Sequence, residues 1–266
     1  MRQIVVVLFV VLAATGCAAA QNLIDNGSLE QARDDGFPAG GWWLYPSGLD
    51  PAIAKVTVDG DDAFAGSASA LIEVFDRVGL SFVSPGAKVY PGDQLRVNAH
   101  VRADLRQYVP DEAESSRLSR QEHPRDRGME EDRVKFSATW RNARGHAHEP
   151  TTIAGPMQTD GWQRLEAAIT APVGAVGFEV QFTLIEVIGT FRVDDLLVRR
   201  INDYSIDLAA KPQTERPGRN TLSFAVINHR ARGRRLRAVV SIDDGVAVEQ
   251  DVELSSDARQ AVSIDY

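Results

Sequence analysis

The sequence predicts an all-β protein, an antiparallel β-sandwich followed by a smaller one, and three observations predict it. Apolar and polar side chains alternate through many short stretches, as at Leu95, Val97, Ala99 and Val101, the spacing that sends successive side chains to opposite faces of a strand. Turn-forming pairs such as Asp59-Gly60 and Pro91-Gly92 separate these stretches. No segment of useful length carries its apolar residues at the 3.6-residue period of a helix.

The 266 residues are 44% hydrophobic and 25% charged, which suits one large domain or two smaller ones. Lys and Arg number 29 against 37 Asp and Glu, and the net charge of -8 argues against general binding to nucleic acid or to an anionic membrane. A positive start at Arg2, an apolar run over 4–14 too short to cross a bilayer, and small residues up to Ala20 read as an export signal that lies outside the fold. The single cysteine, Cys17, closes that run. Its context, LAATGC, resembles the lipobox of bacterial lipoproteins, which implies acylation at Cys17 and a lipid anchor as the only tie to a membrane. Simple secretion with cleavage after Ala20 is the alternative. Either way the mature chain has no disulfide.

Taken in order, 22–30 (NLIDNGSLE) reads as a first strand and 36–48 (GFPAGGWWLYPSG) as an aromatic loop. Strands follow over 53–59, 70–75, 94–102, 134–141, 163–170, 177–184 and 189–200. Residues 104–133 are densely charged and nearly free of large apolar side chains, which reads as a solvated insertion. In the last of these strands the apolar phase changes between Phe191, Val193 and Leu196, Val198. A bulge at Asp194 and Asp195 reconciles the two phases and turns one carboxylate out of the ladder, toward the first segment.

The order of the pieces NLIDNGSLE, GFPAGGWW, DDAFAGSASALIEV, YPGDQLRVNAHVRA, FSATWRNARG, GWQRLEAAITAP and FRVDDLLV resembles carbohydrate-binding modules of the cenC type, within the galactose-binding-like jelly rolls, over 22–201. The resemblance implies non-catalytic binding of a polysaccharide or oligosaccharide by an exported, monomeric module. It also implies a structural calcium, with Glu30, Asp61 and Asp194 as its carboxylates and carbonyls near Ser28. Two other readings of these carboxylates stand beside it: bulge and turn residues satisfied by backbone donors, or the acid and base of a glycosidase.

Alternation places Arg96, Asn98, His100 and Arg102 of one strand, Arg141 of another and Gln181 of a third on outer faces. If the three strands are neighbours, these residues form one cationic surface, where the resembling modules hold a glycan, and the ligand is an acidic glycan gripped by the arginines and His100. A half-solvated sheet is polar on its outer face in any case. In the aromatic loop Trp42 or Tyr45 is expected to be exposed and to stack on a sugar ring, while Trp140 and Trp162 are expected to be structural. His146 and His148 form an H-x-H pair that binds zinc or copper only with a third ligand.

Past Arg200, five more strand-like stretches over 203–266 resemble part of an immunoglobulin-like domain, and they are fewer than the roughly seven such a sandwich takes. The chain is therefore expected to be part of a longer protein with a catalytic domain downstream. The readings that compete with carbohydrate binding are a structural or adhesive module of a surface lipoprotein, and the non-catalytic front of a polysaccharide-degrading enzyme.

Overall fold

The computed structural model describes residues 4–9, 22–109, 133–145, 147, 150–202, 204–207, 221–229, 233–242, 246–256 and 258–265. Cys17, most of the charged insertion, His146 and His148 lie outside the described residues. The architecture is all-β. The strands up to the charged segment are β1 (Ile4–Phe9), β2 (Trp43–Tyr45), β3 (Ala54–Asp59), β4 (Ser69–Val74), β5 (Gly79–Val83), β6 (Ala87–Lys88) and β7 (Gln94–Gln107). After it come β8 (Val134–Asn142), β9 (Thr151–Ala154), β10 (Gln163–Thr170), β11 (Ala175–Ile185) and β12 (Val187–Arg200). Among the described residues no helix is long and apolar enough to cross a membrane.

Strands β3 to β12, with β2, form an antiparallel sandwich of two sheets. The first has the order β10-β7-β12-β4-β3; the second runs β2-β5-β11-β8-β9, with β6 also paired to β11. Alternation decides what lies between them. Leu95, Val97, Ala99, Val101, Ala103 and Leu105 of β7 are at most 2% exposed, and Phe178, Val180, Phe182 and Leu184 of β11 at most 1%. Phe82, Phe178, Phe182 and Phe191 are among the largest fully buried side chains of this core, each contributing about 1.5–3 kcal/mol through burial.

The bulge inferred from the phase change is present. Asp194 lies opposite His100 and Leu197 opposite Asn98, so β12 advances three residues while β7 advances two, and Asp195 takes a positive φ of 46°. The first segment differs from expectation. Residues 22–30 form turns and no strand, because Asn26 and Leu29 hold φ of 47° and 59°, outside the extended region. A side chain does part of the work of a ladder: Asn22 Nδ2 donates to the Leu196 carbonyl at 2.9 Å and Val198 N donates to Asn22 Oδ1 at 2.9 Å. Four strands of the sandwich lie outside the expected set (β2, β5, β6 and β9), and β7 runs to Gln107, into the segment read as an insertion.

Gly189 shows how closely β12 is held. It lies opposite Leu105 of β7 and Val74 of β4, has φ +124°, and a Cβ on it would sit 2.2 Å from the Asp104 carbonyl oxygen. Gly189→Ala should therefore cost about 2–3 kcal/mol, read as a lowered denaturation midpoint at unchanged slope.

Past Arg200 the described strands are β13 (Tyr204–Asp207), β14 (Thr221–Asn228), β15 (Arg234–Ile242), β16 (Val246–Leu254) and β17 (Arg259–Asp265). They form the sheets β13-β14-β17 and β1-β15-β16. Ile4–Phe9, read as part of an export signal, thus pairs along β15. Fully buried Asp93 joins this part to the sandwich, with Arg200 Nε at 2.8 Å and His229 Nε2 at 3.0 Å.

Candidate functional site

The outer face of the second sheet is built by register. Trp43, Val83, Gln181, Ser137 and Thr152 follow one another across β2, β5, β11, β8 and β9, and Tyr45, Ser81, Thr183 and Lys135 form the adjacent row. Residues directly opposite in a ladder share a face. In β2 the alternation is decisive: Trp42, just before the strand, and Leu44 turn inward, while Trp43 and Tyr45 turn out.

Trp42 is 2% exposed and stacks on Phe82 with centroids 4.5 Å apart. The expectation that names Trp42 as an exposed ring is corrected: it belongs to the core, and its indole N–H donates to the Asn26 carbonyl. Tyr45 is exposed (62%), as expected, and of the two tryptophans it is Trp43 that faces out, 38% exposed and edge to face with Tyr45 at 6.4 Å. Applying the alternation to Trp42-Trp43-Leu44-Tyr45 would have found Trp43.

From this aromatic pair the face continues as a polar floor. The Ser81 and Thr183 hydroxyls pair at 2.8 Å and those of Ser137 and Thr152 at 3.2 Å. Val83, Ser137 and Thr139 face outward yet are only 1%, 7% and 6% exposed, so the floor is recessed. Arg141 grips Glu179 with Nε and Nη2 at 2.8 and 2.7 Å. This bond, the largest influence on the guanidinium, holds its proton still more firmly. The side chains of Lys135 and Gln181 make no hydrogen bond or ion pair with the described residues.

The single cationic surface is corrected as well. β7 belongs to the first sheet and β8 and β11 to the second, so Arg96, Asn98, His100 and Arg102 lie on the opposite side of the sandwich from Arg141 and Gln181. The cations of β7 are also engaged. Arg96 lies 3.3 Å from Glu166, Arg102 lies 2.6 Å from Asp62, and the Asn98 amide, in its satisfied orientation, bridges the Leu197 carbonyl and Arg164. His100 is covered by Phe64 at 3.4 Å between parallel rings. Burial lowers its pKa, against the pull of Asp195 and Asp194 and with that of Arg164.

The carboxylates expected to bind calcium instead hold a loop. Asp194, fully buried, accepts from Phe64 N at 2.8 Å, Ala65 N at 2.9 Å and Asp195 N at 2.6 Å. Glu30 accepts from Ser67 N and Oγ at 3.0 and 2.6 Å, and the Ser67 hydroxyl leads the influences that lower its pKa. Asp61 is exposed on the same loop, and its amide donates to Asp59. Asp194 and Glu30 reach the same loop from two sides, and among the described residues no three acids, histidines or cysteines are grouped to hold a metal. In this arrangement Asp194 and Glu30 are satisfied by backbone amides and the Ser67 hydroxyl. Exchanging calcium for EDTA should leave the melting temperature unchanged, whereas a resident cation would raise it by mass action.

The fold and this outer face define a jelly-roll sandwich with a recessed, aromatic-edged sheet. No family model matches the chain, and no curated protein does. Among solved structures it is similar to the enzymatically active domain of tailspike protein 4 of bacteriophage CBA120 (16% identity, TM-score 0.48), covering 68% of this chain but only 21% of that one. It is also similar to the CBM22-1 xylan-binding domain of Xyn10C from Paenibacillus barcinonensis (13% identity, 70% of this chain and 98% of that one, TM-score 0.40). A family 4 carbohydrate-binding module shares 18% identity over 66% of this chain and 99% of its own, with a TM-score of 0.41.

Proposed function

We propose that this chain binds a neutral polysaccharide or oligosaccharide, without acting on it, in the recess of the second sheet. One observation carries the reading: Trp43 and Tyr45 stand exposed at the edge of a floor of hydroxyls and an amide, from Ser81 and Thr183 to Gln181 and Ser137. Aromatic faces cover the apolar C–H patches of pyranoses, and fixed hydroxyl and amide groups orient their hydroxyls. The pairing of Arg96, Arg102 and Arg141 with carboxylates supports a neutral ligand over an acidic one, because these three cations are already engaged and Lys135 is the one cation of the floor without such a partner among the described residues. Glu179, the carboxylate on this floor, is committed to Arg141, which supports binding without catalysis. Export, a lipid anchor at Cys17 and a monomeric state complete the proposal. Export and the anchor are carried by the order of charge, apolar run and small residues at the N-terminus.

Affinity electrophoresis of the full chain tests it. Gels containing xylan, mixed-linkage β-glucan or galactan should retard the protein, and polygalacturonate should not. Retardation by polygalacturonate alone would move the ligand to the acidic class. Migration unchanged in every gel would favour the structural or adhesive reading.

A further inference from the structure

The opposite sheet carries a second aromatic feature that the recess does not explain. Phe64, in the loop between β3 and β4, is 46% exposed and lies flat on His100, 10° from parallel. One ring face is covered and the other is left to solvent. An exposed aromatic ring is normally free to move, but this one is fixed from beneath and from its own backbone. Its amide donates to Asp194, and Glu30 pins the same loop at Ser67.

Trp162 meets Phe64 edge-on at 6.3 Å and 64°. The Trp162 indole N–H donates to Asp62 Oδ1 at 3.1 Å, and Asp62 Oδ2 accepts from Arg102 at 2.6 Å. A carboxylate and a guanidinium therefore stand beside the ring, locked to each other, with Arg102 still half exposed. Such preorganisation lowers the cost of binding.

We infer that Phe64, Asp62 and Arg102 form a second saccharide site, for a single pyranose ring, on the face opposite the recess. The apolar C–H face of the sugar lies on Phe64, and neighbouring hydroxyls donate to Asp62 and accept from Arg102. The setting favours a sugar over a protein partner. The apolar area is one ring, and charged Arg102, Arg164 and Glu166 share the sheet face that carries His100 beneath it, whereas protein interfaces draw charged residues away from their centres.

Saturation-transfer NMR of the full chain with methyl β-glucopyranoside, β-galactopyranoside and β-xylopyranoside tests the site. Trp43→Ala/Tyr45→Ala silences the recess, so transfer to at least one glycoside should persist in that variant and be lost when Phe64→Ala is added. Arg102→Met should weaken it at least threefold. Phe64→Ala keeps the backbone amide that Asp194 holds, and an unchanged melting curve will confirm that the fold is intact. The site is overturned if Phe64→Ala leaves transfer unaltered, if the recess variant alone abolishes it, or if no glycoside shows transfer. A dimer in gel filtration that dissociates on Phe64→Ala would likewise overturn it in favour of self-association. Polysaccharide retardation reads the recess separately, so the two sites can fail independently.

Discussion

Asp194→Ala should destabilise the sandwich by about 3–5 kcal/mol and lower its melting temperature by roughly 10 °C. The carboxylate is fully buried and accepts from Phe64, Ala65 and Asp195, and its loss strands those amides. The change also frees one end of a loop whose other end hangs from Glu30. Burial is the largest influence on the Asp194 carboxyl and holds its pKa above the ordinary carboxylate value, while the amides pull it back. The folded protein thus keeps this proton more tightly than the unfolded chain does. The group's contribution is full below the unfolded pKa and declines as pH rises through the folded one. Denaturant melts across the acid range should show the Asp194→Ala penalty shrinking as pH rises.

Trp43→Ala/Tyr45→Ala should weaken binding of any polysaccharide that retards the wild type by about 100-fold, the loss of two aromatic anchors at about 1.4 kcal/mol each. Stability should be nearly unchanged, since both rings face water while Trp42 and Leu44 hold β2 to the core. Affinity electrophoresis with graded polysaccharide, read beside a thermal melt, separates the two effects. Undiminished retardation in a folded double variant would remove the recess from consideration.

What was legible in the sequence was whatever depends on local alternation. Leu95 to Val101 and Phe178 to Leu184 point inward as their spacing requires, and the phase change at Asp194 located a bulge to the residue. Alternation tells in from out but not which sheet a strand joins. That is why Arg96 and Arg141 were placed on one surface when the core lies between them. Strand β2, with three residues, is too short to show a period, so Trp42 and Trp43 were not told apart. The segment 22–30 has a strand's composition, yet the side chain of Asn22 takes over part of the ladder's bonding. No pattern of apolar residues encodes that substitution.

The position of β12 has a consequence for how this chain is made. It pairs with β7 on one side and β4 on the other, yet it is the last strand of the sandwich to leave the ribosome. Until residues 187–200 exist, β4 and β7 each present an open edge to the gap that one strand will fill. A chain that ends between β7 and β12 carries two adhesive edges at once. Vectorial synthesis therefore exposes this protein to mispairing for most of its length and resolves the hazard in a single late step.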